Sequence, residues 1–184
     1  MEVLKTAIEG LLIIEPTVFG DSRGYFYESY NKQRFEEATG LDIDFVQDNQ
    51  SKSCYGVLRG LHFQKPPYAQ SKLVRCVRGR VLDVAVDIRK SSPTFGKYVA
   101  VELTEDNHRQ LFIPHGFAHG FMVLSDEAIF QYKCDNFYHK ESEGAVAWND
   151  PEINIDWTIP FDDVILSDKD KVNPLLKDAD WLFE

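Results

Sequence analysis

The residues best suited to chemistry gather in a stretch defined by what it lacks. Positions 49 to 82 hold no Asp or Glu, whereas thirty acids spread over 184 residues would place about five or six there. The same stretch carries seven cations, Lys52, Arg59, Lys65, Lys72, Arg75, Arg78 and Arg80, in a chain of net charge −10. A basic strip inside an acidic protein focuses field and suits a small anionic ligand, because charge-assisted hydrogen bonds are the strong ones. A solvated strand face paired with acids elsewhere would leave the same pattern. His62 sits in the strip, within Arg59-Gly60-Leu61-His62-Phe63-Gln64. Its imidazole titrates near neutrality and can act as a general base. A lone histidine is also commonly a packed or surface residue. Lys72 follows it, and Tyr132 lies on a later strand-like segment.

Metal chemistry is the obvious competitor. His115 and His119 have the i, i+4 spacing of a helical ligand pair, but Pro114 precedes them and Gly116 and Gly120 flank them. That context predicts loop and strand instead. No His-x-His pair occurs, and the three cysteines, Cys54, Cys76 and Cys134, form no Cys-x-x-Cys. The sequence therefore predicts no metal site, no disulfide framework and reduced thiols.

The elements that must position these side chains read mostly as strands. Leu82, Val84, Val86 and Ile88 alternate with Asp83, Ala85 and Asp87, the period of two of a half-buried strand. Val99, Val101 and Leu103 alternate likewise. The segments Phe121–Leu124 and Ala128–Cys134 flank Ser125-Asp126-Glu127 as a hairpin would, and 77–81 reads as another tight turn around Gly79. Short strands at roughly ten-residue spacing predict an antiparallel sandwich, barrel or jelly roll. Two helical segments are expected. Asn31 caps Lys32–Thr39, with Gly40 as the stop, and Ser167 opens a capping-box spacing that Pro174 limits to about one turn. The Leu175–Glu184 tail could add another turn.

Composition narrows the class. A mass of 21.2 kDa fits one domain. Hydrophobic residues at 43% exclude a disordered chain, and 24 aromatics favour a sheet-rich core or an aromatic-lined pocket. The acidic balance repels phosphate backbones, so nucleic acid is a poor partner. No apolar run approaches a membrane span, and the first five residues do not open a signal peptide. A cytoplasmic location is the expectation.

Several blocks together resemble one family. Arg59–Gln64, then Ala69-Gln70-Ser71-Lys72-Leu73-Val74-Arg75, closely resemble the dTDP-4-dehydrorhamnose 3,5-epimerase family. The segments 18–24, 45–49, 83–89, 92–96, 113–121, 148–151 and 166–170 continue the likeness in order over roughly residues 5–176. Gln50 departs from it, standing where many members carry His; it lies beside substrate-contact positions and bears on fine substrate preference.

The resemblance implies a mainly β, cupin-type jelly roll, with residues 1–184 as one domain and a short helical tail. It implies a homodimer working without metal or organic cofactor on a dTDP-sugar. The reaction would invert C3 and C5 of dTDP-4-dehydro-6-deoxy-glucose, giving dTDP-4-dehydro-L-rhamnose. Both protons are α to the C4 ketone, so inversion needs a base on one ring face, an acid on the other, and a cation or donor at the C4 oxygen. By resemblance His62 is the base, Tyr132 the acid, Lys72 the enolate stabiliser and Asp170 the partner that orients His62. Arg23, Glu28, Gln47, Asn49 and Arg59 would contact the nucleotide sugar, and Tyr138 would stack on thymine. His119, Glu143 and Lys169 would complete the pocket. A one-centre epimerase, a non-catalytic nucleotide-sugar-binding cupin and a metal-dependent cupin oxygenase are the rival readings.

Overall fold

The computed structural model describes residues 1–180 and 183–184. Its strands are β1 (Glu2–Lys5), β2 (Leu12–Glu15), β3 (Phe19–Asp21), β4 (Gly24–Phe26), β5 (Gln47–Cys54), β6 (Leu58–Gln64), β7 (Lys72–Arg78), β8 (Arg80–Asp87), β9 (Tyr98–Thr104), β10 (Gln110–Ile113), β11 (Phe117–Val123), β12 (Glu127–Cys134) and β13 (Glu143–Ala145). A six-stranded sheet runs β1-β2-β10-β7-β12-β5 and a five-stranded sheet runs β13-β6-β11-β8-β9. The strands β3 and β4 form a separate two-stranded sheet. Every pairing within the sheets is antiparallel, and the fold is a cupin-type jelly roll.

Both tight turns expected from the sequence turn out to be corners between sheets. β7 and β8 lie in different sheets, and so do β11 and β12. Alternation reports which face of a strand is buried, not which neighbour it pairs with, so a sheet-to-sheet corner looks like a hairpin locally. Gly79 turns the first corner at φ +79°, where a Cβ would meet the Glu127 carbonyl oxygen at 2.1 Å.

β8 is also more deeply placed than its alternation predicts. Its residues from Val81 to Asp87 are all buried. Leu82, Val84 and Val86 face an outer cluster with Trp148, Ile153, Ile155 and Trp157, supplied by the chain after β13. Val81 and Ala85 face the space between the sheets, with Val74, Leu111, Phe121 and Phe130. Burial on two faces of one strand removes more apolar area from water than the half-buried strand expected, at about 25 cal/mol per Å².

The helical segments follow their sequence signals. α1 is Lys32–Thr39; the Asn31 side chain accepts the Arg34 N–H, and Gly40 at φ +73° donates its N–H to the Glu36 carbonyl. A side-chain cap of this kind contributes about 1 kcal/mol. α1 buries Phe35 against Phe45, Phe112 and Leu73 on the outer face of the six-stranded sheet. Near the C-terminus, Ser167 Oγ accepts the Asp170 N–H at 3.2 Å, and a single 3₁₀ turn, Asp170–Val172, stops before Pro174. A second short turn covers Leu176–Asp178. The tail expectation extends over residues 181 and 182, which lie outside the described residues.

Candidate active site

The two sheets face each other, and their inner faces meet around a cleft. Side-chain alternation decides what each strand sends into it. On the six-stranded sheet, Tyr132 lies opposite Asn49, and Cys134 lies between Gln47 and Lys72. These residues share one face. On the five-stranded sheet, His62 lies directly opposite His119. The pairing of β6 with β11 shifts between His119 and Phe121, next to Gly60 and Gly120. A Cβ on Gly60 would come within 2.5 Å of the Gly120 Cα, and Gly60 sits at φ +146°. Two glycines thus let the backbones approach closely beside the histidine pair.

A cavity of about 470 Å³ is lined by Arg59, His62, Lys72, His119, Tyr132, Lys169 and Asp170, among others. A second, of about 400 Å³, is lined by Gln47, Asn49, Gln64, Tyr138 and Glu143. They share Asn49, His62, Lys72 and Tyr132, so they are two ends of one cleft. Their common residues are the ones with reactive side chains.

His62 Nε2 lies 2.5 Å from Asp170 Oδ1. Asp170 is buried and also takes a 3.4 Å hydrogen bond from Asn173 Nδ2. Burial alone would raise its carboxyl; the hydrogen bond and charge of His62, with Ser167 and Asn173, outweigh this and hold it below the ordinary value. An ionised Asp170 accepts a hydrogen bond from Nε2–H, which in the neutral imidazole leaves Nδ1 of His62 as the basic nitrogen. Burial raises the Tyr132 phenol, with the Cys134 thiol adding to the shift and Arg59 opposing it, so the phenol stays protonated at neutral pH. Burial lowers the Lys72 ammonium, opposed by Cys134 and Asp83. Lys72 Nζ lies 5.9 Å from the Tyr132 ring centroid.

A second carboxylate–imidazole pair lies deeper. His119 Nε2 is 2.9 and 3.1 Å from the two carboxylate oxygens of Asp83, which is fully buried. Burial lowers the His119 pKa, and Asp83 opposes the shift. Asp83 escaped the sequence reading because it counted only as the polar half of an alternating strand. The available signal was an acid at the centre of a segment whose neighbours are otherwise apolar. His115, by contrast, bonds Asp135 at 2.9 Å and is not in the cleft. Among the described residues no three His, Cys, Asp or Glu side chains converge as metal ligands.

Two expected contact residues do not reach the cleft. Arg23 is exposed at the β3–β4 turn and pairs with Asp21 at 2.5 Å. Glu28 is bound to Arg34 at 2.6 Å and Asn31 at 3.1 Å, and lines a separate cavity with Phe19 and Phe26. The reason is topological. Tyr27 bonds Arg75 at 2.8 Å and the Ser29 carbonyl bonds Gln110 at 2.8 Å, both on the outer face of the six-stranded sheet. That sheet stands between residues 27–29 and the cleft of the same chain.

The acid-free strip divides. Arg59 and Lys72 line the cleft, with Arg59 bonded to Ser53 at 3.2 Å. Lys52, Arg78 and Arg80 instead pair with Glu127 and Glu102. Gln50 belongs to the outer face: its side chain accepts from Gln131 at 2.7 Å, and Gln131 accepts from Arg75 at 2.7 Å. Its amide is therefore turned away from the Asn49 and Tyr132 side of the sheet.

An imidazole on one sheet with its carboxylate from the C-terminal 3₁₀ turn, a phenol and an ammonium on the other sheet, and a cleft between them define a jelly-roll site for moving protons on carbon beside a carbonyl. The chain belongs to the dTDP-4-dehydrorhamnose 3,5-epimerase family, whose model matches residues 5–178. It is 61% identical over 181 residues to the dTDP-4-dehydrorhamnose 3,5-epimerase of Shigella flexneri, covering 98% of this chain and 99% of that one. The crystal structure of the enzyme of that name from Elizabethkingia anophelis matches with a TM-score of 0.94 and 60% identity, covering 98% of this chain and 99% of that one. The dTDP-6-deoxy-D-glucose-3,5-epimerase of Legionella pneumophila, solved in complex with dTDP-4-keto-L-rhamnose, matches with a TM-score of 0.92 and 52% identity, covering 96% of this chain and 93% of that one.

Proposed function

We propose that this chain is a dTDP-4-dehydrorhamnose 3,5-epimerase, converting dTDP-4-dehydro-6-deoxy-D-glucose to dTDP-4-dehydro-L-rhamnose in the route to dTDP-L-rhamnose. The observation that carries this is the placement of His62 and Tyr132 on facing sheets around one cleft, with Lys72 beside the phenol. His62 Nδ1 takes the proton from C3 or C5, and the C–H electron pair moves into the enolate. Lys72 stabilises the charge on the C4 oxygen. Tyr132 then gives its proton to the same carbon from the opposite ring face. His62 releases its proton and Tyr132 regains one before the second centre reacts. No redox partner enters this balance, which suits a cofactor-independent isomerase.

Binding follows from the lining. Arg59 meets the diphosphate, Gln47 and Asn49 the nucleotide sugar, and His119 the sugar ring. Tyr138 stacks on thymine, and the Lys169–Glu143 pair, 2.5 Å apart, closes one rim. Residues 1–184 act as one domain in a cytoplasmic homodimer. The dimer accounts for Arg23 and Glu28: only a second copy can bring a β3–β4 hairpin to this cleft, and that hairpin exposes Phe19, Tyr25 and Phe26.

Incubation with dTDP-4-dehydro-6-deoxy-D-glucose in D₂O tests the reading. Deuterium at both C3 and C5, with the L-rhamno product, is expected. Label at one carbon would make it a one-centre epimerase, and tight binding with no label would make it a binding protein only.

A further inference from the structure

Gln64 ends β6 and is buried, so each polar atom of its amide needs a partner. All are satisfied by backbone. Nε2 donates to the Tyr68 carbonyl at 2.6 Å and the Phe137 carbonyl at 3.1 Å, while Oε1 accepts the His139 N–H at 2.8 Å. One side chain therefore fastens two loops, residues 65–71 and 135–139, to the strand that carries His62. Tyr138 lies between the two anchored positions of the second loop and lines the same end of the cleft as Gln64. Its own N–H is taken by Gln47 Oε1 at 3.1 Å. Tyr138 is 56% exposed, so the direction of its ring is set by the backbone on either side and not by a packed socket. The first loop is tied in as well: Asn136 donates to the Pro67 carbonyl at 3.2 Å, and Gln70 to the Asn136 carbonyl at 2.8 Å.

We propose that Gln64 is a positioning residue for the base end of the substrate. It fixes the backbone at 137 and 139, and so aims the Tyr138 ring at a thymine placed in that end of the cleft. This rests on the epimerase reading above. Only an amide supplies two donors and an acceptor in this arrangement. A glutamate keeps the shape and the acceptor but turns oxygen toward two carbonyls, and a methionine keeps the bulk and none of the bonds.

The test compares wild type, Gln64→Glu and Gln64→Met by calorimetric titration with dTDP and with inorganic pyrophosphate, and by steady-state kinetics. Both variants should raise the dTDP Kd and the substrate KM by about tenfold. Pyrophosphate binding and kcat should stay within about threefold of wild type. In a Tyr138→Ala background, Gln64→Met should add less than about twofold to the dTDP Kd, because the two residues act in series. A fall in kcat with KM unchanged, an equal loss of pyrophosphate binding, or full additivity with Tyr138→Ala would overturn the proposal. Failure of both variants to fold would overturn it too, since the amide would then hold the fold and not the cleft. Wild type that does not bind dTDP would sink the epimerase reading itself. Wild-type binding with unchanged Gln64 variants would sink only this inference.

Discussion

Asp170 Oδ1 lies 2.5 Å from His62 Nε2, although 108 residues separate them along the chain. The contact joins β6 of the five-stranded sheet to a one-turn 3₁₀ segment near the C-terminus. That segment is docked by two further bonds, the Ala147 N–H to the Pro174 carbonyl at 2.7 Å and the Leu176 N–H to buried Asp150 at 2.6 Å. His62, the base of the proposed mechanism, is thus held by a tail that the core must first capture.

Replacing Asp170 by Asn keeps the size of the side chain and removes its charge. The amide can present either face to Nε2, so the tautomer with a free Nδ1 is no longer enforced. We expect kcat to fall on the order of 10²–10⁴-fold with KM within about threefold. Steady-state kinetics alongside dTDP titration check this. A KM rise with kcat intact would mean that Asp170 serves binding instead. Because its carboxyl is held below the ordinary value, Asp170 stabilises the fold above the unfolded carboxyl range, and that contribution is lost as pH falls through the lowered folded value. Wild type should therefore lose stability on acidification more steeply than Asp170→Asn, as read by melting temperature between neutral pH and pH 3.

His62 and Tyr132 reach the cleft from different sheets, and their variants should fail differently. His62→Ala removes the base, so deuterium incorporation at both C3 and C5 should fall by at least about 10³-fold. Tyr132→Phe leaves the base and removes the acid. Protons should still leave and return on the original face, giving solvent exchange without inversion. Mass spectrometry for label and NMR for configuration separate the two outcomes. Full inversion by either variant would remove that residue from the mechanism.

Much of this was legible in the sequence, and the missing parts have physical reasons. Alternation in Val99–Leu103 and the caps at Asn31 and Ser167 are local properties, and each is realised as read. The corner at Gly79 is set by which sheet takes the next strand, a long-range choice that no local pattern records. The block Arg59–Gln64 pointed to the strand that carries His62 into the cleft. Asp83 was hidden because buried acids are rare enough that an alternating acid is read as solvent-facing. Arg23 and Glu28 were expected at the nucleotide sugar and lie away from the cleft of their own chain, because sequence carries no sign of which side of a sheet a loop will cross.

Lys72 and Tyr132 share the cleft but titrate in opposite directions, since burial lowers the ammonium and raises the phenol. The enolate needs Lys72 protonated, so activity should fall as pH rises through the lowered lysine value, before Tyr132 ionises. The alkaline limb of the deuterium-exchange rate should therefore lie below the ordinary lysine value of about 10.4. Tyr132→Phe should leave that limb in place, while Lys72→Arg should move it upward by at least one unit, because a guanidinium holds its proton to far higher pH than an ammonium. An alkaline limb that vanishes in Tyr132→Phe would assign it to the phenol and overturn the role given to Lys72.

Arg23 offers a test of the homodimer that does not depend on catalytic geometry within one chain. It is exposed, and in this chain its ion pair is with Asp21 alone among the described side chains. Arg23→Ala should leave the melting temperature within about 1 °C, since an exposed pair contributes little. If the hairpin serves the partner's cleft, Arg23→Ala should still weaken dTDP binding by about tenfold, the scale of one lost charge-assisted bond to a diphosphate. Mixing then discriminates. Arg23→Ala homodimers keep His62 but lack the arginine, and His62→Ala homodimers keep the arginine but lack the base. A heterodimer of the two places a wild-type His62 opposite a wild-type Arg23 in one of its two clefts. Co-refolding equal amounts should therefore recover, at substrate well below KM, more activity than the two homodimers contribute separately. No recovery, with heterodimer formation verified by native mass spectrometry, would mean that Arg23 acts within its own chain or not at all.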